Sequence, residues 1–486
     1  MLTDTAYEDA RLSLWSRVRE FAVPPSMIDT ATTRRRAGDW AGACAAANVD
    51  VDLDLRSLAR THGRNLAAQV RDGLRHLAPD LLRWHMPRIA PHGLLRPGLT
   101  IALTRYDSLE RDGPGTTYLV VRTAPAWADA GQRVSLALWD GSRADAGSRR
   151  HPHPRPNRRF RLDLHRHLWD ARRSDELRVR SGADRPPGEE QLLVNPEVLD
   201  RVPRDRGCAI GRWSAEARIL LGAEGRSAGT VAVRVGSRQR LLLDLTADAE
   251  GSGSPGFTVE VASRHGRAAD LPVLPDAATW TLPDLELIRS GTLRADQLHP
   301  LVASALAPDR VPAAAQPDDT RASTRAPNQS TPGPPRAPGS PGPPHLVLCR
   351  GAQHRIGLVD GVLSPMDHDP VEIRREELLA ELTGTPLPCL QAIDTAHRRP
   401  DCLTGVRERL QHGDIAGALA VVENLLGPDA LLRDGPLRDE LEAAARRRVT
   451  YGLFRADLTQ PGPGGISPGP SRPPGHRSNP RHATAR

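Results

Sequence analysis

Residues 307–344 constrain this chain more than any other stretch. Eleven of the 38 are proline and the only sizeable aliphatic side chain is Val311, so the segment has nothing with which to build a core. Its proline spacing, densest from Thr331 to Pro344, favours extended, solvated polyproline II backbone that works as a semi-stiff spacer. The chain therefore reads as two folded parts on a disordered linker, residues 1–306 and 345–458, followed by a disordered basic tail at 459–486. Within the first part the pattern divides again, into a helical region at 1–97 and a β-rich α+β domain at 98–306. The second part, 345–458, reads as a mostly helical module with a small β-hairpin. The expected fold class is α+β, with an antiparallel middle domain.

At 486 residues the chain is long enough for two or three domains with real cores. All 66 Lys+Arg residues are Arg. That excludes two common chemistries in their usual form: a Walker A loop, whose Lys reaches the phosphates, and Schiff-base catalysis, which needs a side-chain amine. A nucleotide-driven step would then belong to a separately encoded NTPase partner. The net charge of +7 invites a nucleic-acid reading, yet linker and tail together hold +5 of it. Tyr and Phe, four each, are few for stacking on bases. Cys44, Cys208, Cys349, Cys389 and Cys402 are odd in number and contain no C-x-x-C, so no disulfide framework is expected. Neither a basic-then-apolar leader nor a membrane-length apolar span is present. The expected setting is a reducing cytoplasm, with no cofactor and no membrane partner.

In chain order, Leu12, Trp15, Val18 and Phe21 mark one face of a first helix that Pro24-Pro25 ends. A tight helical hairpin follows, in which Gly38 stops one helix and Asp39 caps the next. The run Val49-Asp50-Val51-Asp52-Leu53-Asp54 fails the calcium-loop pattern, with Leu55 at the sixth position and Thr61 at the twelfth, and reads as an extended lead-in with Asp54 as a cap. A helix expected over 55–77 carries Arg56, Arg60, Arg64, Arg71 and Arg75 within a sector of about 100°. Such a stripe either grips an acidic partner or is a solvated face.

Period-two alternation predicts strands at 99–105, 116–122, 133–139, 159–164, 230–235, 238–245 and 257–261. Short connections favour an antiparallel meander or sandwich. A helical return is expected at 284–306. Gly225-Arg226-Ser227-Ala228-Gly229 fits the nucleophile-elbow pattern and Gly251-Ser252-Gly253-Ser254-Pro255-Gly256 the dinucleotide pattern, but strand-like residues follow each where the chemistry needs a helix.

Residues 149–167 are the most suggestive part of this domain. Arg149, Arg150, Arg155, Arg158, Arg159 and Arg161 precede any acid, and two H-x-H pairs surround them. On a strand His165 and His167 share a face and can present two imidazoles to one metal. The rival readings are an anion or nucleic-acid patch, and a wet strand face opposite Phe160, Leu162 and Leu164. In the last module, strands at 345–349 and 355–359 precede helices at about 369–382, 387–398, 401–411, 415–426 and 436–454. Asp369, Pro370 and Glu372 are a helix-start signature. Cys349, Cys389, His397 and Cys402 are the candidate zinc ligands here, although their spacing matches no finger or ribbon. Asp367 and His368, in the loop before the helix, are a second polar candidate.

Gly413-Asp414-Ile415-Ala416-Gly417-Ala418 repeats Gly38-Asp39-Trp40-Ala41-Gly42-Ala43 with only the aromatic changed. The unit resembles the hairpin of a tetratricopeptide-type repeat, without a 34-residue period to continue it; the other reading is a generic helical hairpin built twice on the same turn chemistry. In composition and phrasing the whole chain is similar to the uncharacterised multidomain proteins of high-GC actinobacteria, a resemblance that brings no catalytic residues with it. The expectation is a non-catalytic cytoplasmic adaptor or accessory subunit, with Asp414 and Ile415 on an interaction hairpin. The alternatives are a metal- or His/Asp-dependent enzyme, or a weak nucleic-acid binder through Arg149 to Arg161 and the tail.

Overall fold

The computed structural model describes residues 4–107, 116–128, 132–141, 151–185, 202, 207–236, 239–246, 257–261, 270–308, 345–349, 351–359, 362–383, 388–398, 405–426 and 434–458. Most of the Pro-rich linker and all of the tail from residue 459, both expected to be disordered, lie outside these. The chain forms two compact units, Met1–Val311 with Asp457–Arg486, and Pro312–Ala456. It is a mixed α+β protein with antiparallel sheets. Among the described residues no helix is long and apolar enough to cross a membrane.

The first unit opens with α1 (Asp4–Phe21), α2 (Pro25–Arg36), α3 (Trp40–Ala46), β1 (Val49–Val51), α4 (Leu55–Thr61), α5 (Arg64–His76) and α6 (Pro79–His85). The short pair β2 (Arg88–Ile89) and β3 (Leu94–Leu95) leads into a meander of β4 (Thr100–Asp107), β5 (Thr116–Thr123) and β6 (Val134–Trp139). Strand β1 adds to this sheet in parallel, with Val49 opposite Val134. One core therefore runs across residue 97: Val18, Leu74 and Leu82 from the helices pack with Ile101, Leu119 and Leu136 from the sheet.

Next come α7 (Glu176–Ser181), α8 (Ile210–Ala223), a second antiparallel meander of β7 (Gly229–Arg234), β8 (Arg240–Leu245) and β9 (Phe257–Val261), then α9 (Asp276–Thr279), α10 (Pro283–Arg289) and α11 (Pro300–Leu306). The second meander has its own core, in which Val231, Leu243 and Leu274 meet Trp213 and Leu220 of α8. Buried charges in this unit are paired with an opposite charge or donate to backbone carbonyls, as Arg88 does to the carbonyls of Gly93 and Arg83, which offsets the desolvation penalty. Arg19 of α1 donates to Asp284 of α10 at 2.8 Å, and its guanidinium lies 4.4 Å over the Trp84 ring. Trp84 Nε1 donates to the other Asp284 oxygen at 3.0 Å, and His299 meets Asp80 at 3.1 Å.

Three elements differ from their sequence reading. The helix expected over 55–77 is two helices, because Gly63 takes φ +89°, ψ 156° between α4 and α5. The strand expected at 159–164 is a series of 3₁₀ turns: Leu164 N–H donates to Arg161 O and His165 N–H to Leu162 O, and only one bridge, Ala102 with Arg161, links it to a strand. The helical return is α10, a 3₁₀ turn at Ala295–Gln297, and α11. Helix α8 was not anticipated, although Trp213, Ala217, Leu220 and Leu221 carry its helical spacing.

The second unit has a three-stranded antiparallel sheet, β10 (His345–Cys349), β11 (Ala352–Val359) and β12 (Val362–Pro365), with β11 in the middle. Five helices follow: α12 (Pro370–Thr383), α13 (Pro388–Arg398), α14 (Val406–His412), α15 (Ile415–Leu426) and α16 (Pro436–Arg455). Its core joins Ile356 of the sheet to Ile393, Val406, Leu410, Ala418 and Leu437 of the helices.

Candidate functional site

Strand β10 alternates. Val347 and Cys349 turn toward the helices, Cys349 fully buried, while Leu346 and Leu348 are 55 % and 67 % exposed. Across the ladder Val347 pairs with His354, which places that imidazole on the inner face, diagonal to Cys349. The turn from β12 into α12 is clamped onto β11. Arg355 N–H donates to Asp367 at 2.7 Å, its guanidinium donates to the same carboxylate at 2.7 and 3.1 Å, and Met366 N–H donates to Arg355 O. These bonds hold the Asp367 carboxyl down at about 2, the Arg355 guanidinium contributing most. Asp369 caps α12 by accepting from Val371 N–H at 2.9 Å.

Between the clamp and the cap, His368 is presented inward. Its ring stacks on His354 with centroids 4.0 Å apart and planes 12° from parallel, and its Nε2 lies 3.6 Å from the Sγ of Cys389 in the first turn of α13. Cys349, His368 and Cys389 bring one ligand atom each to within 4.8 Å of one another. Both thiols sit in an apolar pocket with Val347 and Leu390. Burial, and then the neighbouring Cys349 thiol, push the Cys389 thiol up to about 11, so it is neither a ready nucleophile nor an acid at neutral pH.

The same unit carries a second apolar row. Val371 and Leu378, seven residues apart and thus on one face of α12, are 56 % and 57 % exposed.

The structure thus brings together two of the four expected zinc ligands, Cys349 and Cys389, and joins to them His368 from the other polar candidate. The backbone of His397 lies in α13 and its side chain outside the described residues, as does all of Cys402. His165 and His167 are not on a wet strand face but buried in the 3₁₀ turns, their rings edge to face at 5.6 Å. His165 Nδ1 faces Glu216 of α8 at 3.8 Å, and that carboxylate takes two 2.6 Å bonds from Arg180. Burial holds the His165 imidazole down at about 4 and lowers His167 as well.

The arginines of this region divide. Arg159 pairs with Asp276 at 2.5 Å and Arg161 grips Asp163 with two nitrogens, while Arg155 and Arg158 are exposed; Arg149 and Arg150 lie outside the described residues. Arg56 and Arg60 on α4 and Arg64 on α5 are exposed, but the break at Gly63 removes the continuous stripe expected of them. Asp414 accepts from Gly417 N–H at 3.0 Å and from Arg409 at 2.8 Å, and Ile415 packs on the core. No family model matches the chain, and neither a curated protein nor a solved structure is similar to it.

Proposed function

We propose that the chain is a non-catalytic, cytoplasmic adaptor or accessory subunit acting through protein–protein contacts of its C-terminal unit. The observation that carries this reading is the pair of solvent-facing apolar rows there, Leu346 with Leu348 and Val371 with Leu378. Single exposed apolar side chains are ordinary surface, whereas rows repeated at strand and helix spacing are typical of contact sites. Each such side chain contributes about 1.5–3 kcal/mol when a partner buries it fully. Five cysteines, an odd number with no C-x-x-C, suit a reducing compartment. In such an assembly any nucleotide hydrolysis falls to the partner, since this chain has no lysine for a Walker A loop.

The enzyme reading draws less support from the geometry, because His165, His167 and Asp163 are engaged in internal contacts beneath the surface. The nucleic-acid reading keeps Arg155 and Arg158 but loses Arg159 and Arg161 to carboxylates.

The test is quantitative co-purification from the native host in nuclease-treated lysate, comparing the full-length protein with a Leu348→Glu/Leu378→Glu variant. The expected result is one protein recovered at near equal molar ratio with the parent and lost from the variant, with circular dichroism and melting unchanged. Recovery of both forms alone would sink the proposal. A contact that survives the double variant but dissolves in moderate salt would move the argument to the exposed arginines.

A further inference from the structure

We infer that Cys349, His368 and Cys389 bind a divalent transition ion of the zinc class, an inference independent of the adaptor reading. Two thiols and an imidazole are the donors that such ions select. The spacing fits as well. Zn–S and Zn–N bonds of ordinary length at a tetrahedral angle separate sulfur from nitrogen by about 3.6 Å and sulfur from sulfur by about 3.8 Å. His368 Nε2 and Cys389 Sγ are 3.6 Å apart, and all three ligand atoms lie within 4.8 Å, so small side-chain rotations close the set around an ion.

The charge balance favours the site too. Binding releases the two thiol protons to solvent and engages His368 as neutral imidazole through Nε2. A dication with two thiolates is neutral overall, which suits the apolar pocket of Val347 and Leu390. The imidazole is already oriented by its stack on His354 and by the Arg355–Asp367 clamp beneath its turn. Among the described residues no further Cys, His, Asp or Glu joins the three, so the fourth position of a tetrahedron is left to water or to another donor. An ion here ties the end of β10 to the turn before α12 and the first turn of α13, segments that the His368–Cys389 contact already brings together.

The experiment uses the full-length protein, reduced and prepared without chelator. Elemental analysis is expected to find about one zinc ion per chain after equilibration and desalting. Cobalt(II) in place of zinc is expected to give thiolate charge-transfer absorption in the near-ultraviolet and the strong visible bands of a tetrahedral site. Cys349→Ser, Cys389→Ser and His368→Ala should each abolish those bands, and Cys208→Ser, in the other unit, should keep them. Circular dichroism of the His368→Ala variant, whose residue lies in a half-buried turn, separates loss of a ligand from loss of the fold. Full-length protein that takes up no zinc and gives no charge-transfer band overturns the inference, as does a band that survives both cysteine substitutions. Conversion of Cys349 and Cys389 to a disulfide on mild oxidation, with zinc giving no protection, also overturns it. None of these readouts involves a protein partner.

Discussion

Asp39 and Asp414 show how far a single side chain can organise its neighbours. Each follows a glycine in the left-handed region, Gly38 at φ +77° and Gly413 at φ +85°, and each accepts from the N–H three residues on, at 2.8 and 3.0 Å. Each also holds the arginine five residues back, Arg34 at 3.1 Å and Arg409 at 2.8 Å. The glycine inside each helix belongs to the same device. A Cβ on Gly417 would lie 2.2 Å from an Asp414 oxygen, and one on Gly42 2.0 Å from Asp39, so a side chain there evicts the cap. Glycine to alanine within a helix ordinarily gains about 1 kcal/mol. We expect Gly417→Ala to give no such gain alone, because it forfeits a cap worth about 1 kcal/mol, and to give it in an Asp414→Ala background. Urea denaturation of the four proteins in this cycle measures the coupling, and additive effects would contradict the account. Arg19 is a harsher case. Arg19→Met leaves the buried Asp284 carboxylate without its paired cation, keeping the Trp84 N–H bond, and should destabilise the first unit by about 3–5 kcal/mol, with Arg19→Met/Asp284→Leu recovering part of the loss.

At the scale of elements, local capping and turn chemistry decided boundaries while pairing partners decided type. The Asp54 and Asp369 caps and the β4, β5, β7 and β8 strands were legible because their signals are local. The break between α4 and α5 was less so, since one glycine in an apolar-periodic run is compatible with a continuous helix. Its backbone conformation is one that only glycine takes readily, so Gly63→Ala should lower the unfolding free energy by about 1–3 kcal/mol, and an unchanged thermal melt would mean that the two helices can merge. The stretch at 159–164 had strand-like alternation, but beside β4 it makes only the single bridge of Arg161 with Ala102, and backbone groups without a continuing ladder close turns on themselves. That outcome buried His165 against Glu216 of α8, with His167 beside it, and the helical spacing of α8 could have been read from Trp213, Ala217 and Leu220.

Over the whole molecule, histidines give the first unit a pH dependence. Burial holds the imidazoles of His85, His151 and His165 down at about 4, against an ordinary value of 6.5. Between those values the unfolded chain binds protons that the folded one refuses, so stability is present above pH 6.5 and is lost as pH falls toward 4. The slope is at most about 1.4 kcal/mol per pH unit for each histidine. Asp276, whose carboxyl burial pushes up, acts in the opposite sense. Urea midpoints at pH 7.5, 6 and 5 should fall in that order, and a flat series would show that these imidazoles are solvated before unfolding.

The sequence by itself determined the α+β class, the strands of both meanders, the capped helices and the Gly-Asp hairpins, because period, proline and caps act over a few residues. It also determined which chemistries lack their residues, lysine above all. Only the tertiary structure decided that Val49 of β1 pairs with Val134 of β6, that Arg19 meets Asp284, and that Cys349 and Cys389 meet at His368. Each of these is a contact between distant segments, set by how whole elements pack rather than by any spacing along the chain.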